Sequence, residues 1–589
     1  MVGVFYLVDF SGGLVDPLLI SSYAVVHFGL MGAVAAVPIG LLVRLLGGAD
    51  SVTETTSRLL TGVAVVLALS IYYIVARRPT LLLEPGTLLP IVAGVGAVVV
   101  WAVRRENRGR DVTGRSFALS IVACLLLPAL WAQARPVLVD TPAPADVSLE
   151  RNTSIPTNRV LLLGWDAATW DLVDPMLRDG RLPTLAKLIE GGARGTVDSE
   201  PQEVQPFEDS SSAGTRTPAI FETIATGKPP IMHGIWDFQA KMFWGTSQAL
   251  PFRVGGGWLG PHVPTTSDMA RAERVWHMVD RAGLETLVVG WWNTWPVRHG
   301  LTNGVLVSDR AKEEIPDTMA PADAVDVAVV CAETRSDADR AVEGLVPALD
   351  PNLHTLGPLK EDLRRTFRND YQDDLCHYRL AAAVAAEHDP EFIATYVSLI
   401  DIVQHKFWRY FEPDAFGDVE KVDAEQLGHA IAASYDFADD LLAKMLEAFG
   451  PDTTVVLVSD HGAGAWAFDG MAGALKDVFQ SIHPEYSGNH RLNGLIVMNG
   501  PGVAAGVDIG VVKHVDIVPT VLALLGLPLA EDLPGRVLND AFEAPELRAS
   551  PLQRIRTYQT AESEGSLVPT ASAVDSEVEK KLRALGYIQ

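Results

Sequence analysis

The sequence predicts an α/β domain with a mostly parallel sheet flanked by helices, preceded by an all-α multi-span membrane domain. Three observations carry this expectation. Four long apolar runs follow one another within the first 135 residues, each near the ~20 residues that cross a bilayer. From Arg159 onward, short apolar runs end repeatedly in Asp or His, the pattern of strands covered on both faces. Helical spacing fills the gaps between those runs, and such alternation argues a sheet with ligands at the carboxyl ends of its strands. A chain of 589 residues is also too long for one core.

The apolar runs are residues 23–43, 59–76, 88–103 and 117–132. The chain opens without a basic segment, which argues against a cleaved signal peptide. Arg104, Arg105, Arg108, Arg110 and Arg115 crowd the loop after the third run and should face the cytoplasm. Everything after Arg135 then lies outside. The expectation is a multi-pass protein of the cell membrane with an extracytoplasmic catalytic domain and the lipid bilayer as a partner. Arg77 and Arg78 would also lie outside, against the same rule. Residues 136–158 read as a Pro-containing tether, and 159–589 as the catalytic domain.

Charge and cysteines exclude other classes. Lys and Arg number 47 against 73 Asp and Glu, a net charge of −26, with pI about 4.9. Without a basic stripe in its second part, the chain is expected to have no nucleic-acid partner. Cys124 lies in an apolar run, so at most one disulfide can form, between Cys331 and Cys376. That excludes a disulfide-built scaffold, and the spacing matches no zinc motif.

In the second part, VLLLGWDAATW is a buried strand ending at Asp166. A helix over 182–190 follows, then an acidic, Ser-rich insertion at 199–212. Next comes TRTPAIFETIATGKPPIMHGI, with Thr217 before Pro218. Pro suits the first helical position, so Thr217 is expected as the N-cap of a helix holding Ile220, Phe221 and Ile224. A Thr there can simply cap the helix. It can also be an attacking oxygen whose phosphorylated product is held by the helix N-terminus. An irregular insertion rich in Trp, Phe, Gly and Pro spans 239–268. A helix over 270–282, a strand over 286–289, a helical insertion at 320–375 and a helix over 380–388 follow. PEFIATYVSLID is a strand ending in Asp401, and TTVVLVSDHG one ending in Asp460 and His461. A helix over 424–449 separates them. His490 in SGNHRLNG precedes the strand NGLIVMNGPG. A helix over 517–525 and a short amphipathic helix in VDSEVEKKLRALGYIQ close the chain.

Asp401 and His405 stand four apart, which puts both on one face of a helix. With Asp166, Asp460, His461, His490 and Thr217 they make three Asp, three His and a hydroxyl. Carboxylates and imidazoles are zinc ligands. Two ions about 3.5–4 Å apart are a known catalyst of phosphoryl transfer.

Over Arg159 to Leu538 the chain resembles the alkaline phosphatase superfamily, in its type I phosphodiesterase / nucleotide pyrophosphatase branch. The resemblance rests on GWDAATW, TRTPAIFETIATGKPPIMHGI, DIVQHKFW, SDHG, GNHRLNGLIVMNGPG and VDIVPTVLALLGLP, in that order. It implies an alkaline-phosphatase-like fold and two divalent ions, expected to be zinc, although the same ligands accept Mn²⁺ or Fe. By resemblance, Asp166, Asp460, His461 and Thr217 hold one ion, and Asp401, His405 and His490 the other. Thr217 is the implied nucleophile, forming a phospho-threonine that water cleaves. The chain departs from the family in having no Asn on the nucleophile helix, which leaves Asn293, Asn489 or Arg491 as alternative donors to the phosphoryl oxygen. Thr217-Pro218 does not supply the C/S-x-P-x-R pattern of sulfatases. The expected activity is hydrolysis of a phosphodiester or phosphomonoester. The alternatives are a lipid-linked phosphoethanolamine or phosphoglycerol transferase and a non-catalytic binding protein that keeps the fold.

Overall fold

Apolar strands with no polar face must be covered on both sides, and this requirement shapes the domain. The structure is a computed structural model. It describes residues 149–584, apart from 156–158, 200–215, 247, 251–259, 313–314, 352–356, 417–418, 467–486, 544–546, 548–552, 561–564 and 566–569. Met242–Gln248 and Val254–Pro261 belong to a separate unit; the description below concerns the unit made of Val139–Lys241, Ala249–Arg253 and His262–Gln589.

Among the described residues the main sheet has nine strands. In chain order they are Arg159–Trp165 (β1), Ala193–Asp198 (β2), Thr286–Val289 (β3), Gly304–Val307 (β4), Met319–Ala320 (β5), Phe392–Val397 (β6), Thr453–Val458 (β7), Asn493–Asn499 (β8) and Val507–Lys513 (β9). Across the sheet the order is β9-β2-β8-β7-β1-β6-β3-β4-β5. β1 pairs in parallel with β7 on one side and β6 on the other. β8 runs antiparallel between β7 and β2, and β5 is antiparallel at the far edge. The helices include Trp170–Arg178 (α1), Pro183–Glu190 (α2), Thr217–Thr226 (α3), Val275–Arg281 (α4), Thr334–Leu345 (α5), Pro358–Glu387 (α6), Leu399–Phe411 (α7), Ala430–Phe449 (α8), Ile517–Leu524 (α9) and Asp575–Ala584 (α10).

Strand side chains alternate between two cores, as their period of two requires. Leu161 and Leu163 of β1, Ile393 and Val397 of β6, and Val455 and Leu457 of β7 face one core, shared with α1, α2, α5, α6, α7 and α8. Val160, Leu162, Ala394, Tyr396, Val456 and Val458 face the other, with α3, α4 and α9. Gly164 lets α3 approach β1 closely: a Cβ there would stand 2.5 Å from Phe221 Cε1. Cys331 and Cys376 form a disulfide that ties the segment before α5 to α6.

Several elements differ from the sequence expectation. The helix expected over 270–282 begins at Val275. The one expected over 424–449 is broken in two, at Lys421–Leu427 and Ala430–Phe449. The helix over 380–388 is the end of the much longer α6. Most of the Ser-rich insertion at 199–212 lies outside the described residues.

One expectation is corrected. The multi-span membrane domain, residues 1–135, lies outside the described residues, as does most of the tether at 136–158. Among the described residues no helix is long and apolar enough to cross a membrane. The two longest, α6 and α8, carry charge along their length; α8 alone holds Asp436, Asp439, Asp440, Lys444 and Glu447. Such charges are costly in a bilayer. The supported fold class is the α/β domain alone. The multi-pass localisation and the bilayer as partner are not supported.

Candidate metal centre

The site forms where β1, β6 and β7 end side by side. Leaving β1, Asp166 donates its N–H to Val397 O of β6 at 3.0 Å. The next residue, Ala167, adopts a left-handed φ of 57°, a conformation costing a non-glycine residue about 1–2 kcal/mol. The turn is held by what it joins. Ala167 N–H donates to Asp460 Oδ1 at 3.1 Å, and its carbonyl accepts from Gln404 Nε2 at 3.0 Å. Thus the ends of β1 and β7 and the helix α7 are fixed through one residue.

Two groups of three residues that could hold a metal ion result: Asp166, Asp460 and His461, all buried, and Asp401, His405 and His490. In the first, His461 Nε2 stands 3.1 Å from Asp460 Oδ2 and 3.7 Å from Asp166 Oδ1. In the second, His405 Nε2 lies 3.4 Å from Asp401 Oδ1 and 2.9 Å from His490 Nε2. His490 sits on a short strand, Gly488–Arg491, paired antiparallel with Gly462–Ala465. Gly488 is needed there, because a Cβ would stand 2.2 Å from Gln404 O of α7.

The imidazole protons are placed by backbone. His405 Nδ1 is 3.0 Å from Gly488 O, and His461 Nδ1 is 3.0 Å from Gly462 O. A carbonyl only accepts, so each Nδ1 carries a proton, and Nε2 is the nitrogen turned toward the carboxylates. That is the arrangement a metal-binding histidine needs.

Electrostatics point the same way. Burial, then the Asp460 and Asp401 carboxylates, hold the Asp166 carboxyl well above its ordinary range. Burial also raises Asp460, with His461 opposing. Asp166 Oδ1, Asp460 Oδ2 and His461 Nε2 are buried and, among the described residues, meet only one another. Buried polar atoms without partners are costly. Two carboxylates and an imidazole nitrogen converging this way fit a divalent cation.

Thr217 departs from its expected cap role. Arg216 is the N-cap of α3 and Thr217 the first helical residue. Thr217 is fully buried and its Oγ1 has no hydrogen-bond partner among the described residues, so it is not satisfying the helix N-terminus. Its helix is tied to neighbouring segments by side-chain hydrogen bonds. Asn293, itself at a left-handed φ of 58°, donates Nδ2 to Pro218 O at 3.0 Å. Arg274 donates to both carboxylate oxygens of buried Glu222 on the same helix, at 2.9 and 3.1 Å, and to Asn293 O at 3.0 Å.

Of the alternative oxyanion donors, Asn293 and Arg491 already donate within the structure. Asn293 holds Pro218. Arg491 donates to His490 O and Ala465 O, and Asn489 Oδ1 accepts the N–H of His490. Lys228 pairs with Asp532 at 2.6 Å. His233 accepts the Ile235 N–H at 3.1 Å and contacts Thr223 Oγ1 at 3.0 Å, shaping the turn after α3.

Sequence reasoning missed Tyr396. Its hydroxyl donates to Asp166 Oδ2, and its ring meets Phe221 of α3 edge-on with centroids 4.9 Å apart. Its place one residue before the end of a buried strand is the available signal, but Tyr there reads as core. Beside it, Trp292, Phe238, Ile402 and Val578 of α10 form an apolar cluster, with Trp292 edge-on to Tyr396 at 6.1 Å.

The family model that matches the chain is described as type I phosphodiesterase / nucleotide pyrophosphatase and covers residues 160–514. No curated protein matches. Solved structures with similarity include phosphonoacetate hydrolase from Sinorhizobium meliloti 1021 in complex with phosphonoformate, at 16% identity and TM-score 0.34. That match covers 57% of this chain and 66% of that one. Human ectonucleotide pyrophosphatase / phosphodiesterase 5 matches at 11% identity and TM-score 0.37, covering 66% of this chain and 100% of that one.

Proposed function

This chain belongs to the type I phosphodiesterase / nucleotide pyrophosphatase family, and we propose from that premise that it is a metal-dependent phosphoesterase acting through Thr217. The observation that carries the reading is the Thr217 hydroxyl, buried at a helix N-terminus with no hydrogen-bond partner among the described residues. A Thr serving only as a cap would be hydrogen-bonded.

Asp166, Asp460 and His461, with Thr217, would hold one ion, and Asp401, His405 and His490 the other. The N and O donors suit zinc, and the same set accepts manganese or iron. When bound, such ions supply a lowered hydroxyl pKa and neutralise phosphoryl charge. The remaining work belongs to the chain. Thr217 Oγ attacks phosphorus and forms a phospho-threonine, and the ester alcohol leaves with the proton. Water then cleaves that ester, returning Thr217 and releasing the phosphoryl product. Thr217 stands at the positive end of the α3 dipole, which favours the developing negative charge. Asn293, Arg274 and Glu222 keep α3 from shifting while this happens.

The test is metal content together with hydrolysis of bis-p-nitrophenyl phosphate and p-nitrophenyl phosphate by the full chain. About two ions per chain, as a two-metal site requires, with cleavage lost in Thr217→Ala, supports the reading. Undiminished cleavage in that variant would overturn the role of Thr217. Absence of metal would overturn the ligand assignment.

A further inference from the structure

The helix that carries Asp401 and His405 has no cap of its own. α7 begins one residue after β6 ends, with Ser398 between them. The first N–H groups of a helix need acceptors from outside it. Ser398 sits in helical rather than extended backbone, and its side chain caps nothing.

The acceptor comes from another helix. Asp374 of α6, 1% exposed, takes the Ser398 N–H at 2.9 Å and the Leu399 N–H at 2.9 Å. It also accepts from Ser398 Oγ at 3.0 Å. A carboxylate at this end favours the positive pole of the helix. Asp401 is the third residue of α7, so the contact lies within a turn of it.

α6 grips α7 again further along. Lys406, next to His405 in sequence, pairs with Asp362 at 3.3 Å, and Phe367 meets Phe407 edge-on with centroids 6.4 Å apart. The ligand pair is therefore bracketed by contacts to one helix.

We propose that Asp374 is a positioning residue for the Asp401/His405/His490 metal group, setting its affinity by capping α7 from outside. The proposal rests on the reading of those three residues as ligands. It gives part of the helical segment before β6 a function: α6 is the abutment of a metal-binding helix.

A control exists in the same fold. Asp439 of α8, also buried, takes the N–H groups of Thr184 and Leu185 at 3.0 and 2.7 Å and so caps α2. No ligand candidate lies on α2. Losing that cap removes a comparable contact away from the ligands.

The experiment compares full-length wild type, Asp374→Ala, Asp374→Asn and Asp439→Ala. Zinc per chain is measured after dialysis, and zinc affinity by competition with a chromophoric chelator. Wild type and Asp439→Ala should hold two ions with equal affinity. Asp374→Ala should keep one tightly and bind the other about 10–100-fold more weakly, the usual effect of losing a residue that orients a ligand. Asp374→Asn, which retains one acceptor oxygen, should fall between them, and it carries the test if the alanine variant does not fold. Two ions held with wild-type affinity in both Asp374 variants would overturn the proposal while leaving the ligand reading intact. Equal weakening in Asp439→Ala would also overturn it, by showing that general destabilisation suffices. No zinc in wild type would remove the ligand reading and the proposal together.

Discussion

His461 and His490 lie ring on ring, with centroids 3.7 Å apart and planes 23° from parallel, although they belong to different ligand groups. His461 ends the run after β7, and His490 comes from the short strand that folds back over it. The two groups therefore share a wall. Removing one imidazole should disturb both. His490→Ala is expected to keep a single ion, bound about 10-fold more weakly than the tighter wild-type ion, within the range for residues that orient ligands. Chelator competition measures this. Unchanged affinity for the remaining ion would mean that the rings pack without coupling the groups.

What could be read from the sequence, and what could not, follows from how far each cause reaches along the chain. Asp401 and His405 are related by one helical turn, so their shared face was visible in the spacing. Asp166 and Asp460 each follow a run of apolar residues, and a strand end is a local signal. That β1, β6 and β7 are neighbours was not legible, because strand order is set by pairing between distant segments. Tyr396 and Asp374 were not visible. Each acts through a partner far away in sequence, and each sits in an element whose pattern explains it as core or as helix. The position of Thr217 was off by one residue, because Pro218 suits both of the first helical positions and only backbone geometry separates them. The buried nucleophile-helix network of Glu222, Arg274 and Asn293 was equally hidden, since a charged pair enters a core only when the fold has brought it together.

Replacing Thr217 by Val separates chemistry from stability. Val keeps the shape and removes the hydroxyl. Because Oγ1 is buried without a hydrogen bond, its loss should leave stability unchanged within about 0.5 kcal/mol, or raise it. Turnover should fall by about 10³-fold or more, as for loss of a nucleophile. Denaturant melts and steady-state rates check both. A stability loss of about 1 kcal/mol, as for a removed cap, would argue for the ordinary structural role.

Tyr396→Phe removes only the donor to Asp166 Oδ2. The carboxylate oxygen is left buried without that donor, a change worth about 1–3 kcal/mol. Zinc affinity at the Asp166 group should weaken by about 10–100-fold, with metal-site geometry loosened before the fold is lost. An unaltered affinity would reduce the tyrosine to core packing between β6 and α3.

The Glu222–Arg274 pair should behave as a buried ion pair whose halves cannot be removed singly. Arg274→Met leaves the Glu222 carboxylate buried opposite an apolar side chain, and should cost about 3–5 kcal/mol. The double variant Arg274→Met/Glu222→Leu should recover most of that, since well-packed apolar replacements of buried pairs are often neutral. Urea unfolding of the two variants tests it. Equal destabilisation in both would mean that the pair is needed for its hydrogen bonds to α3 and Asn293, not for charge balance.

Acid should unfold the protein partly through His233. Burial, with Arg274 nearby, lowers its pKa to about 3, against an ordinary value near 6.5. The folded state therefore holds His233 neutral while the unfolded chain protonates it. Its contribution to stability is complete above about pH 6.5 and is lost progressively as pH falls toward the folded value. The slope approaches about 1.4 kcal/mol per pH unit for one proton, so about 2 kcal/mol at most disappears between pH 6.5 and 5. In His233→Asn the amide oxygen can still accept the Ile235 N–H but cannot titrate. Its stability should therefore fall less steeply over that interval, by about one proton, although other histidines titrate in both proteins. Parallel slopes for the two would mean that His233 is already protonated in the folded state, and that the turn after α3 is held by a charge rather than by a neutral hydrogen-bonded ring.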